Sequence, residues 1–512
     1  MKITFTTLLA MMSLTSLMSQ SAGQLDITFN TSGSQSLSPG ILHDNINAVA
    51  VQSDEKIVGF GMTMGEGNFN FDLCIVRLMP DGAVDASFGT DGYFTYDHNG
   101  ESDFIYEGTI LPDGKILACG AVSNSADDTE IMLVRLNTDG TLDNTFGGGD
   151  GMAIHTLNTG QDYANGMIVL EDGSIVIVGT TAMPGMMTTR GVIMKFNSLG
   201  ELDTTFGFNG YTVIAYGQDN DVFQSLVQMP DGGYMLVGYS SINFSNAGWV
   251  CRVTAAGDLD TDFATSGHYI YDSGIAAFID IVAYGDEYIV CGNRFFGLED
   301  AVVVGLQANG TLSTAFGTNG EVVLDIDESD ATNKILVDSE NGLVVAGSAG
   351  PSFFERNALA FRLDATGTLD PSFGNGGIFN VSFASGFDVI WGLAEQGDDK
   401  LILGGLASEN DNNMLFVRIN GSGTVGLDES NEHSVVAAYP NPVQHTLQLM
   451  APSNIEKIGI YNMTGACVRD EKINSMQTSF DLSGLAEGCY TLHIVLTNGR
   501  TEVQRIMIAR KR

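Results

Sequence analysis

TLDNTFGGGDG, residues 141–151, reads on its own as a glycine-rich turn. Near-copies return along the chain: QLDITFNTSG (24–33), AVDASFGTDG (83–92), ELDTTFGFNG (201–210), DLDTDFATSG (258–267), TLSTAFGTNG (311–320) and TLDPSFGNGG (368–377). Their phenylalanines are Phe29, Phe88, Phe146, Phe206, Phe263, Phe316 and Phe373, spaced by 59, 58, 60, 57, 53 and 57 residues. A β-helix coil is much shorter than this, and helical repeats need a 3.6-residue period that is missing here. The spacing suits a four-stranded propeller blade, whose repeat runs to about 40–50 residues or slightly more.

One unit shows the four strands. YANGMIVLEDG (163–173) is a strand entering a tight turn, and SIVIVGTT (174–181) is a short apolar strand. GVIMKFNSLG (191–200) is a third strand with its turn, and GYTVIAY (210–216) follows the linker as a fourth. β-Branched and aromatic residues bounded by Gly and Asp are strand punctuation. The second strand recurs as KIVGFG, KILACG, GYMLVG, EYIVCG, GLVVAG and KLILGG. In the linker, Leu and Phe of L-D-x-x-F can plug between blades, while Asp caps the amides just after it.

This pattern resembles the delta-60 repeat family, whose units are expected to build a β-propeller. The resemblance covers residues 24–423 and implies an all-β, seven-bladed ring without catalytic residues of its own. A basic residue stands eight positions before the linker Asp in five copies: Arg77 and Asp85, Arg135 and Asp143, Lys195 and Asp203, Arg252 and Asp260, Arg362 and Asp370. One copy loses both, as Gly305 and Ser313. Arg418 has no such Asp after it, and Asp26 has no basic residue before it. The count therefore predicts that residues 24–38 complete the blade formed by 388–420, with Asp26 beside Arg418.

The 512 residues are 44% hydrophobic, ample for a core. The net charge is −40, which repels phosphate backbones and excludes a nucleic-acid partner. Residues 434–512 carry eight basic residues against six acids, a net +2, leaving −42 for the rest. Such a change of sign marks a separate C-terminal module. At the other end, MKITFTTLLAMMSLTSLMSQSAGQ is built as a secretory signal: one Lys, an apolar stretch too short to span a membrane, then small residues. Residues 1–23 are the expected leader, with cleavage after Ala22 or Gly23. No later stretch qualifies as a transmembrane helix. Export permits disulfides, yet Cys74, Cys119, Cys251 and Cys291 read as small buried hydrophobes. Cys467 and Cys489 remain a pair that can bridge.

Residues 424–438 break the repeat and read as a linker. Beyond them, short alternating strands suggest a small immunoglobulin-like β-sandwich over 439–512. Pro440-Asn441-Pro442, Asn462 and Gly465 in the first hairpin, Gly488 and Tyr490 before a strand, and a basic closing strand make this segment similar to the C-terminal sorting domain of the type IX secretion system. The resemblance implies outer-membrane secretion machinery as partner. It also implies a secreted or outer-membrane-associated place on the surface of a Gram-negative bacterium. An independent adhesive sandwich is the alternative.

Antiparallel order puts the Asp-Gly turns and L-D-x-x-F linkers on one face and the variable loops on the other. Variable loops on a rigid scaffold are where binding resides. Two constellations fall there. Asp44, Asp103, Asp162, Asp221, Asp330 and Asp388 each begin an innermost strand and are expected to ring the channel mouth; the fifth copy departs, with Ile275. They read as local caps, with a calcium site as the functional alternative. The second is aromatic: Phe295 and Phe296 with Arg294, and Phe353 and Phe354 with Arg356, in the same loop of adjacent copies. They read as an exposed recognition patch, against the alternative that the rings fold back onto blade edges. No G-x-S-x-G, H-E-x-x-H or P-loop pattern is present, and the histidines are scattered. The expected function is therefore a surface binding or scaffolding module for a glycan or protein ligand. The alternative is a polysaccharide-processing enzyme working at the channel mouth.

Overall fold

The computed structural model of the chain describes residues 21–421 and 437–509, apart from 66–69, 126–127, 159, 184, 186–187, 218, 244, 272–274, 296–298, 398, 410, 440–442, 444, 463–466, 487 and 498–500. It divides into two compact units, residues 1–424 and 425–512. Among the described residues every helix or strand assigned is a strand.

In the first unit, four antiparallel strands repeat. The first sheet holds Asp44–Val51, Ile57–Met64, Phe71–Leu78 and Tyr93–Tyr96 in sequence order, from an inner to an outer strand. The same order recurs from Phe104–Ile110 to Met152–His155, from Tyr163–Val169 to Tyr211–Ile214, and from Asp221–Gln228 to His268–Tyr271. The next two sets, Ile275–Tyr284 to Glu321–Leu324 and Ser329–Val337 to Ile378–Val381, are joined into one sheet by a single parallel pair, Glu299 with Ser329. Middle strands such as IVGFGMTM and ILACGAVS are almost wholly buried, because each sheet is covered on both faces by its neighbours.

The last three long strands, Asp388–Gln396, Lys400–Ser408 and Asn412–Asn420, take their fourth from the other end of the chain. Ser34–Leu37 pairs antiparallel with Asn412–Asn420, in register Ser34 to Val417 and Leu37 to Met414. Asp26 Oδ2 lies 2.9 Å from Arg418 Nε, so the predicted closing pair is met. The five internal pairs also meet, at 2.7 to 3.6 Å. Where both partners are lost, Ser313 hydrogen-bonds Glu287 instead.

The repeated turn is the joint between sheets. Phe88 is fully buried under the Arg77 guanidinium, 4.6 Å from ring to Cζ, and Phe146 lies the same way under Arg135 at 4.5 Å. Its other side meets a turn of the next sheet. At Gly200 (φ +81°) an added Cβ would come within 2.6 Å of the Phe146 ring, so only glycine fits both the backbone and the ring. The residue after each Phe then donates its amide to that next turn: Gly89 to Asp139, Gly147 to Leu199, Gly207 to Ala256, Ala264 to Asn309 and Gly317 to Thr366, at 2.7 to 3.0 Å. The closure uses the same bond twice, Asn30 to Asp81 and Gly374 to Ala22. Residues 21–23, read from sequence as the end of the leader, are thus placed as a turn, with Ala22 buried.

The second unit is a five-stranded antiparallel sheet. Its long hairpin, Thr446–Asn462 and Cys467–Asp481, is interrupted by irregularities near Met450 to Ile455. A bridge from Val443 to Ile508 joins the sheet's two ends around a core of Leu447, Ile458, Phe480, Leu492 and Ile494. Residues 437 and 438, assigned from sequence to the linker, belong to strand Ala437–Tyr439. Cys467 is a free, exposed thiol. Its strand and that of Cys489 flank Thr446–Asn462 on opposite sides, about 9–10 Å apart at two strand spacings. That is too far for a disulfide. The other four described cysteines are buried and free.

Candidate functional site

The six aspartates stand at or within one residue of the starts of their inner strands, but they do not present a carboxylate ring to solvent. Each is almost fully buried and turned back under its own loop. Asp162 accepts from the amides of Leu157, Asn158 and Ala182 and from Thr181 Oγ1 at 2.6 Å. Asp221 accepts from Tyr216 N, Gly217 N and Ser240 Oγ, with Arg190 at 3.5 Å. Asp44 takes Gly40 N and Thr63 Oγ1, Asp103 takes His98 N and Ser123 N, Asp330 takes the amides of Ile326 and Asp327, and Asp388 those of Phe383 and Ala384. Burial is the main influence on the acidity of Asp44, Asp103, Asp162, Asp330 and Asp388. It pushes Asp103 up to about 7 and Asp330 up to about 6 against the amides that favour the anion, and it raises Asp44, Asp162 and Asp388 as well. In the fifth copy the residue at the cap's register is Ala276, paired with Arg294 as Asp221 is with Ser240, not Ile275. Among the described residues no group of three or more His, Cys, Asp or Glu is arranged to hold a metal ion.

The aromatic loops divide by residue type. Phe353 and Phe354 are 64% and 76% exposed and meet edge to face at 5.5 Å, and Phe295 is exposed too. Phe296 lies outside the described residues. The arginines are not free. Arg356 is buried, pairs with Glu299, bonds Ser329 Oγ at 2.6 Å and lies 4.6 Å over the Phe353 ring. Arg294 is held by Asp300 and Glu321. Both therefore brace the loops.

A site that the sequence reading missed lies at the centre. Every inner strand carries one β-bulge, and the extra residue is Asn47, Tyr106, Asn165, Gln224, Ile279, Asn333 or Trp391. All line one cavity of 540 Å³. A bulge re-aims a side chain that regular pairing would point elsewhere. The three asparagines reach the next inner strand, donating to the carbonyls of Ile105, Phe223 and Ile390 at 2.6 to 2.9 Å. Beside the bulges, Lys334 crosses the lumen to Glu107 at 2.6 Å and faces Asp280 at 3.7 Å. Burial pulls the Lys334 ammonium down, but Asp280 and Glu107 outweigh it and hold its pKa above the usual lysine value. A line of half-buried rings, Phe71, Phe104, Tyr106 and Tyr163, runs into the cavity with centroids 6.0 to 6.2 Å apart.

Family comparison supplies what this geometry cannot. Residues 52–88, 111–146 and 170–206 match a β-propeller domain of unknown function, DUF5122, and residues 437–509 match the secretion system C-terminal sorting domain. The chain is a β-propeller repeat protein with a type IX secretion sorting domain. Each of the propeller's three matches ends on or beside a linker phenylalanine, Phe88, Phe146 or Phe206. No curated protein sequence matches the chain. Among solved structures it is similar to PorZ, a surface component of the type IX secretion system of Porphyromonas gingivalis, at 10% identity and a TM-score of 0.23 over 96% of this chain and 87% of that one. It is also similar to the α-L-arabinofuranosidase Arb93A of Fusarium graminearum, at 10% identity and 0.40 over 75% and 96%. For the polysaccharide lyase Uly1 the figures are 10% and 0.41 over 75% and 91%. Scores this low identify neither a shared ligand nor a shared reaction.

The sorting tail implies export to the cell surface and interaction with the secretion machinery. In it, Tyr490 is buried and donates to the Ala486 carbonyl at 3.0 Å. Gly488 has φ +147°. Pro440-Asn441-Pro442 and Gly465 lie outside the described residues. Among the described residues no helix is long and apolar enough to cross a membrane.

Proposed function

We propose that this protein is a seven-bladed propeller displayed on the surface of a Gram-negative bacterium, where it acts as a binding module. In this reading residues 1–23 hold the leader, 24–423 the propeller, 424–438 the connection and 439–512 an immunoglobulin-like sorting domain. The observation that carries it is the sorting-domain match behind a ring whose closing contacts all lie upstream of residue 422. A ring closed without the tail can be delivered by the tail and work without it. Binding belongs to the variable-loop face, since the opposite face is taken up by the inter-sheet joints. The six capping aspartates hold that face's loops in shape, and Phe295, Phe353 and Phe354 offer an apolar contact on it. The rival reading, a polysaccharide-processing enzyme, would draw on Glu107 and Asp280 in the cavity, and Lys334 faces both.

The test is a chain ending at residue 424. Its propeller should keep the full-length melting temperature but stay inside intact cells, protected from added protease. Normal surface exposure of the truncated chain would sink the sorting assignment.

A further inference from the structure

The central cavity combines three properties. Its volume of 540 Å³ falls within the roughly 300–1,000 Å³ of small-molecule sites. It has aromatic walls, from Tyr106, Tyr163, Tyr239 and Trp391. It also offers polar groups with no partner among the described residues. The hydroxyls of those three tyrosines, the Gln224 amide and the Trp391 indole N–H make no hydrogen bond to the described residues, and all five side chains are half-buried. None of these polar atoms is sealed from solvent, so each is open to an incoming molecule without breaking a contact of the fold. Five that converge on one space, beside asparagines and a lysine that are all engaged, offer a surface on which a ligand can replace water.

The chemistry of the walls limits what that molecule is. Aromatic faces beside hydroxyl and amide groups suit a ligand with apolar C–H faces and many hydroxyls that donate and accept. Charge removes the anionic candidates. Glu107 and Asp280 outnumber Lys334 in the cavity, and everything outside residues 434–512 carries −42. Lys334 already faces both carboxylates, so the three groups together leave a net negative charge for an incoming acid to meet. From this geometry we infer that the cavity binds the end of a neutral saccharide chain. One or two sugar rings stack on Tyr106, Tyr163 or Trp391, and Gln224 and the tyrosine hydroxyls bond the sugar hydroxyls. The half-exposed rings of Phe71 and Phe104 continue the track outward. This inference rests on the binding-module reading, but the purified chain tests it whether or not the protein is exported.

Tryptophan fluorescence is a local reporter, because the chain has two tryptophans and Trp249 is fully buried against Phe223. The full-length chain would be titrated with cellohexaose, maltohexaose and chitohexaose, and with hexagalacturonate as the anionic probe. At least one neutral hexasaccharide should give a saturable change in Trp391 emission and protect it from acrylamide. Hexagalacturonate should bind at least about tenfold more weakly. Gln224→Ala should weaken the neutral sugar about tenfold, the loss of one or two hydrogen bonds, with an unchanged melting temperature. Tyr163→Phe should weaken it less. A Phe208→Ser chain, changed at an exposed ring of a linker turn, should bind as well as wild type. The inference is overturned if no neutral hexasaccharide binds, if the anionic one binds best, or if changing Phe353 and Phe354 to serine abolishes binding while Gln224→Ala does not. Failure of export in the truncated chain leaves these outcomes untouched, so the two readings fail separately.

Discussion

Replacing Asp26 by alanine tests the closure of the ring, and its effect can be worked out from the contacts. Asp26 is 2% exposed and Arg418 is 8% exposed. The carboxylate also accepts from Thr28 N and Oγ1, at 3.1 and 2.7 Å, and has Lys400 at 3.5 Å. Removing one partner of a buried ion pair costs about 3–5 kcal/mol. Here the Arg418 guanidinium keeps Pro80 O, Gln396 Oε1 and Thr28 Oγ1, which places the loss near the low end, at about 3 kcal/mol. Asp85 makes the equivalent contact with Arg77 at 2.8 Å, but its segment continues into the same sheet. The Asp26 segment runs on into Asp44–Val51 of a different sheet, so only non-covalent contacts hold it to the sheet it completes, and the loss appears first as detachment of residues 24–37. A change of about 3 kcal/mol multiplies the detached population by about two orders of magnitude. Hydrogen exchange reads this directly. In Asp26→Ala the amides of Ser34–Leu37 should exchange about 100-fold faster, while Tyr93–Tyr96 in Asp85→Ala should follow global unfolding. Equal acceleration of the two strands, or none at Ser34–Leu37, refutes the reasoning.

Two further outcomes are expected. Asp103 is raised from 3.8 to about 7 and Asp330 to about 6, both chiefly by burial. The folded state therefore binds these protons more tightly, and stability is lost as pH rises from about 4 through those values. Asp85, whose carboxyl is held down at about 2 by Ser87, Arg77 and Lys56 in spite of its burial, acts in the opposite sense and below pH 4. Asp103→Asn should flatten the decline in denaturant midpoint between pH 4 and 7; an unchanged slope contradicts the assignment. Gly200→Ala should cost about 1–3 kcal/mol, since it combines a left-handed backbone with a 2.6 Å approach to Phe146, and a melting temperature equal to wild type would show that the turn is not pressed on the ring.

The architecture was legible because the joint repeats in kind. L-D-x-x-F, its basic partner and the capping Asp are constrained by the same backbone geometry in every copy, so counting them leads to Asp26 and Arg418. The cavity was not legible, although a signal existed. The bulged residue stands three positions after each capping Asp, as Asn47, Tyr106, Asn165, Gln224, Asn333 and Trp391 do. A bulge constrains the backbone and leaves the side chain free, so these positions vary in chemistry and escape a search for repeated residues. The Lys334–Glu107 contact joins copies 227 residues apart and has no sequence period. Arg294 and Arg356 sat correctly beside the aromatic loops, but sequence could not show that acids from neighbouring strands already hold them. The fifth copy misled by one position, because no Asp marks its register.

The closing strand has a consequence for the order of folding. Ser34–Leu37 waits for Met414–Val417, made about 380 residues later. Nearly every other strand of the ring finds its partner within one repeat. Local pairings form fast and pairings of large sequence separation form slowly. The sheets can therefore assemble one after another as the chain emerges, while the first strand stays unpaired until the last sheet exists. The ring becomes a single cooperative body in one late step. Until then the outer edge of Asn412–Asn420 is open, and it is the edge most prone to pairing with another chain.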